Sequence, residues 1–244
     1  MGKDARALDV TPVPVLGVAG LRRRHGPHAV LDGVDLDVRR GEVVAIVGAS
    51  GAGKSTLLRC VMGLERYQEG VLTLLGRPPR SDGRRNQVAL LFQGLNLYPD
   101  LRIGLQLVMH GATPGHAREL LARVGLAEQF ETPAGRLSRG EQQRVAMARA
   151  LLAEPVLLLC DDIVPAGEPE LQGEVVMAAR ALADAGLALL IATPDPVFAR
   201  QVADRVFMLH AGQLQEARPA AGQRWATAPP VSCRRSAPQA APAR

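Results

Sequence analysis

The chain has 244 residues, 47% of them hydrophobic, enough for one large core. Its net charge of +5 would suit a nucleic-acid surface if it were spread over the fold, but Arg218, Arg224, Arg234, Arg235 and Arg244 follow Glu216 with no acid among them. The other 24 basic residues balance the 24 acidic ones, and only 3% of the chain is aromatic, so a basic, base-stacking surface is disfavoured.

The opening "MGKDARALDV" is charged and no apolar stretch follows it, which argues against a secretory signal. Arg6 stands where myristoylation of Gly2 requires Ser or Thr. No apolar run reaches the roughly 18 residues needed to span a bilayer. The expectation is a cytoplasmic chain that meets a membrane only through a partner. Cys60, Cys160 and Cys233 lack metal-ligand spacing, and neither a disulfide nor zinc is expected.

Residues 1–14 include Pro12 and Pro14 and read as a leader. From "VLGVAG" through "AVLDGVDLDV" apolar and polar residues alternate, predicting short antiparallel strands with a turn at Asp32–Gly33. In "GEVVAIVGASGAGKSTLLRCVMGL" a β-branched strand, Val43 to Val47, enters a glycine-rich loop and then a helix. "GVLTLLG" predicts another strand, and "HARELLARVGL" and "RGEQQRVAMARALLAE" have helical spacing. "VLLLC" and "LALLIAT" read as buried parallel strands with the helix "EPELQGEVVMAARALADAG" between them; "ARQVADRVFMLHAGQL" gives a helix, a strand and a turn. This alternation is that of an α/β protein on a mostly parallel sheet. Residues 217–244, rich in Pro, Ala and Arg, read as a disordered tail.

"GASGAGKST" fits G-x-x-x-x-G-K-[ST] between a strand and a helix. Glycines let successive backbone N–H groups turn inward on phosphates, Lys54 reaches the outer phosphates and Ser55 offers its hydroxyl to Mg²⁺. Lys54 and Lys3 are the only lysines among 29 basic residues, and the planar fork of arginine cannot replace a point charge inside such a loop. Asp161, at the end of "VLLLC", is the matching carboxylate for Mg²⁺.

"LSRGEQQRV" at 137–145, together with "GASGAGKST", the glutamine of "LLFQG" and "VLLLCDD", resembles the ATP-binding subunits of ABC transporters over roughly residues 15–215. "STLLRCVMGLE", "FQGLNLYPDL" and "EPELQ" are most similar to the polar amino acid uptake branch. The resemblance implies a P-loop NTPase (RecA-like) core, a small antiparallel β subdomain and an α-helical subdomain at about 94–140 carrying the signature motif. It implies an ATP and Mg²⁺ site at Gly48, Ala49, Ser50, Gly51, Ala52, Gly53, Lys54, Ser55 and Thr56, with Asp161 and Gln93 at the metal, and His25 where the family stacks an aromatic on adenine. Ser138, Arg139 and Gly140 would face the γ-phosphate of ATP held by the opposite subunit of a head-to-tail dimer. The implied partners are integral-membrane permease subunits on the inner face of the membrane, a second ATP-binding subunit, identical or different, and indirectly an extracytoplasmic solute-binding protein.

Departures fall on the catalytic positions. Where the family has Asp-Glu-Pro, this chain has Asp161, Asp162 and Ile163, so the base is one methylene short. Pro194 occupies the place of the switch histidine and offers no ring nitrogen. The crossing loop reads "PAGE", with Pro165 and Glu168, and Arg139 replaces a signature glycine. "LRIGLQLVMHGA" lies where transporter subunits dock, with Leu105 in place of the family's acid. The expected function is an amino-acid importer subunit with weak or partner-dependent hydrolysis. The alternative is a pseudo-ATPase that dimerises on ATP and resets slowly.

Overall fold

The computed structural model describes residues 13–78, 87–92, 94–164 and 168–217. Most of the expected leader, Gln93, Pro165 and the tail from Arg218 onward lie outside them.

Among the described residues, two sheets and six α-helices form three layers. β1 (Leu16–His25) pairs antiparallel with β2 (His28–Val38) and with β4 (Glu69–Leu74), giving the order β2-β1-β4. The second sheet runs β5 (Val88–Leu91), β6 (Leu157–Asp161), β7 (Ala188–Thr193), β3 (Val43–Val47), β8 (Arg205–His210), β9 (Gln213–Ala217). Only the β8–β9 pair is antiparallel in it. Every residue of β3 and of β7 is buried, so both faces of the sheet must be covered, which explains why these strands read as unbroken apolar runs.

Alternate side chains serve opposite layers. Val43, Ala45 and Val47 pack with Leu158, Leu189 and Ile191 against a helical layer. That layer comprises α2 (Ile103–Met109), α3 (Pro114–Arg123), α4 (Arg139–Ala150), α5 (Pro169–Asp184) and α6 (Pro196–Val202). Val44, Ile46, Leu157, Leu159 and Leu190 face the other way, onto α1 (Lys54–Met62) and the three-stranded sheet.

The turn expected at Asp32–Gly33 is instead a bulge inside a single strand: Arg22 pairs with Asp32 and Leu21 with Val34, leaving Gly33 unpaired at φ 75°. The chain reverses at Gly26–Pro27, where His25 pairs with His28. A glycine inside an alternating pattern signals a bulge as readily as a turn, and here the pairing on both sides continues.

The parallel strands bring their C-terminal ends together. Val47 pairs with Thr193, and Asp161 with Ala192, so the residues following β3, β6 and β7 emerge on one edge of the sheet.

Candidate functional site

On that edge Gly48 begins a loop that could not be built with larger residues. A Cβ at Gly48 would lie 2.6 Å from the Leu209 carbonyl, and one at Gly53, which sits at φ 104°, would lie 2.9 Å from the Val30 carbonyl. The loop therefore nests between β8 and β2 and delivers the chain to the N-terminus of α1.

Lys54 is 8% exposed, and its Nζ donates to the carbonyl oxygens of Gly48 at 2.7 Å and Ala49 at 3.0 Å. Burial lowers its pKa from the usual lysine value, opposed by the attraction of Asp162 and Asp161. Ser55 donates its hydroxyl to Asp161 Oδ1 at 3.0 Å, joining the first turn of α1 to the end of β6. Asp162 is half-buried at φ 49°, a left-handed conformation that Asp tolerates better than most residues. Its backbone N–H donates to the Ala192 carbonyl at 2.8 Å. Burial raises its carboxyl above the ordinary value; Lys54 lowers it and the neighbouring Asp161 raises it further.

These groups surround a cavity of about 600 Å³, within the range of roughly 300–1,000 Å³ typical of small-ligand sites. Ser50, Gly51, Gly53, Lys54, Ser55 and Thr56 line it, together with Asp161, Asp162 and Pro194; His25, Val30, Arg59, Phe92 and Gly94 form the rest of the wall. Gly48, Ala49 and Ala52 shape the loop behind it. Pro194 is exposed, and the chain beyond it is held by Asp195, which accepts from Val197 N at 2.8 Å, Phe198 N at 3.3 Å and Gln172 Nε2 at 2.8 Å. No side chain at Pro194 can donate into the cavity.

The chemistry of this donor set suits a Mg²⁺–nucleotide. Ser55 and Asp161 offer hard oxygens, the type Mg²⁺ accepts in ones and twos beside phosphate and water. Among the described residues no group of three or more His, Cys, Asp or Glu forms an all-protein metal cage.

Ser138, Arg139 and Gly140 are not in this cavity. They line a separate cleft of about 390 Å³ with Glu168, Glu170 and Glu174. Ser138 is the N-cap of α4: its Oγ accepts from Glu141 N at 3.1 Å, while its own N–H donates to Glu141 Oε2 at 2.8 Å. The S-x-x-E spacing at 138–141 signals this reciprocal cap in the sequence. The Oγ–H remains free of that pair and can be donated outward. A Cβ at Gly140 would collide with the Glu174 carboxylate, which is ion-paired to Arg144 at 3.0 Å. Arg139 is engaged within its own chain, 2.8 Å from Glu168 Oε1. Sequence reasoning missed that ion pair and also Glu65, which touches His25; both join residues remote in sequence and leave no local signal.

Residues 31–164 match the family described as "ABC transporter". The chain is 40% identical over 209 residues to the glutamine transport ATP-binding protein GlnQ of Escherichia coli, covering 80% of this chain and 87% of that protein. It is 39% identical over 229 residues to the histidine/lysine/arginine/ornithine transport ATP-binding protein HisP of Salmonella typhimurium, covering 82% and 88%. Among solved structures, cbiO1 of Clostridium perfringens, part of the ABC transporter complex cbiONQ, superimposes with a TM-score of 0.74 at 25% identity, over 83% of this chain and 87% of that one. A nucleotide-free ATP-binding cassette from an ABC transporter gives 0.70 at 22% identity, over 85% and 92%, a likeness of fold. With the loop, the Ser55–Asp161 pair and the capped 138–141 segment on the same frame, the chain belongs to the ABC transporter family, among its ATP-binding subunits.

Proposed function

We propose that this chain is the ATP-binding subunit of an amino-acid importer whose own nucleotide site hydrolyses weakly or waits on a partner. Residues 15–216 form its ATP-binding domain, and the cavity binds Mg²⁺–ATP through Gly48 to Thr56, with Ser55 and Asp161 at the metal; the role the family resemblance gives Gln93 falls outside the described residues. Similarity to proteins named for glutamine and histidine transport supports the amino-acid assignment. No helix among the described residues is long and apolar enough to cross a membrane; similarity to transport ATP-binding proteins supports permease partners for solute passage. Tyr98, Leu105 and Met109 are exposed apolar side chains in or beside the proposed docking segment.

The observation that carries the hydrolytic part is the wall formed by Asp162 and Pro194. A general base must come within about 2.6–3.2 Å of the proton it takes, and Asp162 is shorter than glutamate by one methylene. Pro194 removes a polar contact of a kind commonly worth about 10²–10³ in rate, and two such losses in one site need not multiply. The same wall supports the second reading, a subunit that binds ATP, dimerises and resets slowly.

Mg²⁺–ATP turnover of the purified chain, beside Lys54→Ala and the double variant Asp162→Glu with Pro194→His, separates the two. Turnover above Lys54→Ala makes Asp162 a sufficient base. ATP binding without turnover, with activity gained in the double variant, makes the chain a nucleotide holder dependent on its partner. No ATP binding by the wild type would sink both.

A further inference from the structure

The cavity has a second end that the phosphate chemistry does not use. Arg59 lies about one helical turn beyond Ser55 along α1, and His25 closes β1 opposite it; both line the cavity with Val30. His25 does not stand alone there. Its Nε2 is 2.7 Å from Glu65 Oε1, and the same oxygen accepts from Arg23 Nε at 2.8 Å. Glu65 has only 15% of its side chain exposed, against 53% for His25, so the carboxylate is sheltered while the ring stays open on one side.

Glu65 is itself fixed. Leu64 N and Glu65 N donate to the Arg59 carbonyl at 2.9 and 3.2 Å, ending α1 firmly. Three residues on, Gln68 N donates to the Arg22 carbonyl at 3.0 Å, and Gln68 Oε1 accepts from Arg24 N at 3.0 Å. The segment after the phosphate-binding helix is thus sewn to the end of β1. Burial alone would push the Glu65 carboxyl up; the hydrogen bonds and charges of His25 and Arg23 overcome this and hold it below the usual glutamate value. An ionised carboxylate can only accept, so the proton of the His25–Glu65 bond belongs to Nε2, and this fixes both the tautomer and the plane of the ring.

We propose that Glu65 is a positioning residue for nucleobase binding: it clamps the His25 ring as the platform against which the purine of the bound nucleotide rests. The proposal rests on the reading of the cavity as an ATP site and adds the residue that orients its base end. Arg23 completes the clamp from β1, sharing the carboxylate oxygen so that Glu65 cannot swing away. A planar, oriented imidazole offers its face to a purine with little rotamer entropy left to lose on binding.

The test uses two ligands that share phosphates but not the base, Mg²⁺–ATP and Mg²⁺–inorganic triphosphate, with binding read by calorimetry. Glu65→Ala should weaken ATP by about threefold to tenfold and leave triphosphate unchanged. Glu65→Gln, which keeps an acceptor oxygen, should recover part of the loss, and Glu65→Ala in a His25→Ala background should cost nothing further. Unchanged ATP affinity in Glu65→Ala, or equal losses for ATP and triphosphate, overturns the proposal while leaving the nucleotide site intact. If the wild type binds neither ligand, the ATP reading itself fails and takes the proposal with it.

Discussion

Asp162 sits in the left-handed region; its partial burial and the neighbouring Asp161 carboxylate oppose its negative charge, and Lys54 favours it. The net result is a carboxyl that holds its proton more tightly in the folded chain than in the unfolded one. The linkage then has a definite sign. Below the unfolded value of 3.8 both states are protonated and the residue is neutral to stability. Between 3.8 and the raised folded value the unfolded chain has released its proton while the folded chain still holds it, so the penalty on folding grows; above the folded value it is constant. Asp162→Asn removes the charge and keeps a side chain that tolerates positive φ. It should therefore raise Tm of the nucleotide-free chain at pH 7 by about 1–3 °C, after discounting for solvent screening, with the gain vanishing in acid. Thermal melts across pH check this, and a lower Tm at pH 7 would show that the lost Lys54 attraction outweighs the relief. The same substitution should abolish any turnover that Asp162 supports, so that stability and activity move in opposite directions.

At the scale of elements, α4 depends on its cap. Ser138→Ala removes the acceptor for Glu141 N and should cost about 1 kcal/mol, or about 2–4 °C in Tm. Ser138→Asp restores a good N-cap but puts a carboxylate where an outward hydroxyl was. It should melt like the wild type yet fail to associate on ATP if that hydroxyl meets a phosphate, a separation that melts and size-exclusion chromatography can read. β3, β6 and β7 were legible in the sequence from their apolar runs, and Lys54, Ser55 and Asp161 from motif and strand context; the S-x-x-E spacing of this cap was present too but went unread. Three elements were not legible, one of them β9, five residues read as a turn and the start of the tail, which are a strand because β8 pairs with them. α2 contains Gly104, a poor helix residue, and exists because Gly104 lets the helix close onto the Phe130 ring, while Gln106 stitches it to Tyr98 and Leu101 through three bonds of 3.0 Å. β5 has four residues, too few to show a period, and is a strand because β6 pairs with it. The missing half of the site has the same cause: Glu65 is 40 positions from His25, and Glu168 is 29 from Arg139. Local pattern finds groups that act alone and misses those that act through a distant partner.

For the whole molecule, the separation of the two clefts decides how the chain must assemble. Lys54 and its cavity lie in one place and the Ser138–Gly140 cleft in another, and no residue lines both. If ATP bridges them, it does so between two ATP-binding subunits; in a symmetric pair of this chain, each copy lends its 138–140 segment to the other's phosphates. Complementation follows from that geometry. Lys54→Ala alone should not associate on ATP, because neither cavity holds nucleotide; Ser138→Asp alone should not, because neither cleft accepts it. When the two are mixed, about half of random pairs unite one variant of each kind, and every such pair contains one site built from an intact Lys54 and an intact Ser138. ATP-dependent association should then reappear in the mixture, read by analytical ultracentrifugation. Arg139 sets a condition on this step, since its ion pair with Glu168 must yield before the guanidinium can face a phosphate from the other chain. Arg139 is largely exposed and Glu168 about a third exposed, so the pair is cheap to break. Glu168→Gln should accordingly strengthen association in the mixture by a factor of about two to five, as freed positive charge meets the phosphates. Silence of the mixture, with both variants folded, would mean that the clefts do not meet across a pair and that each chain works with a different kind of partner.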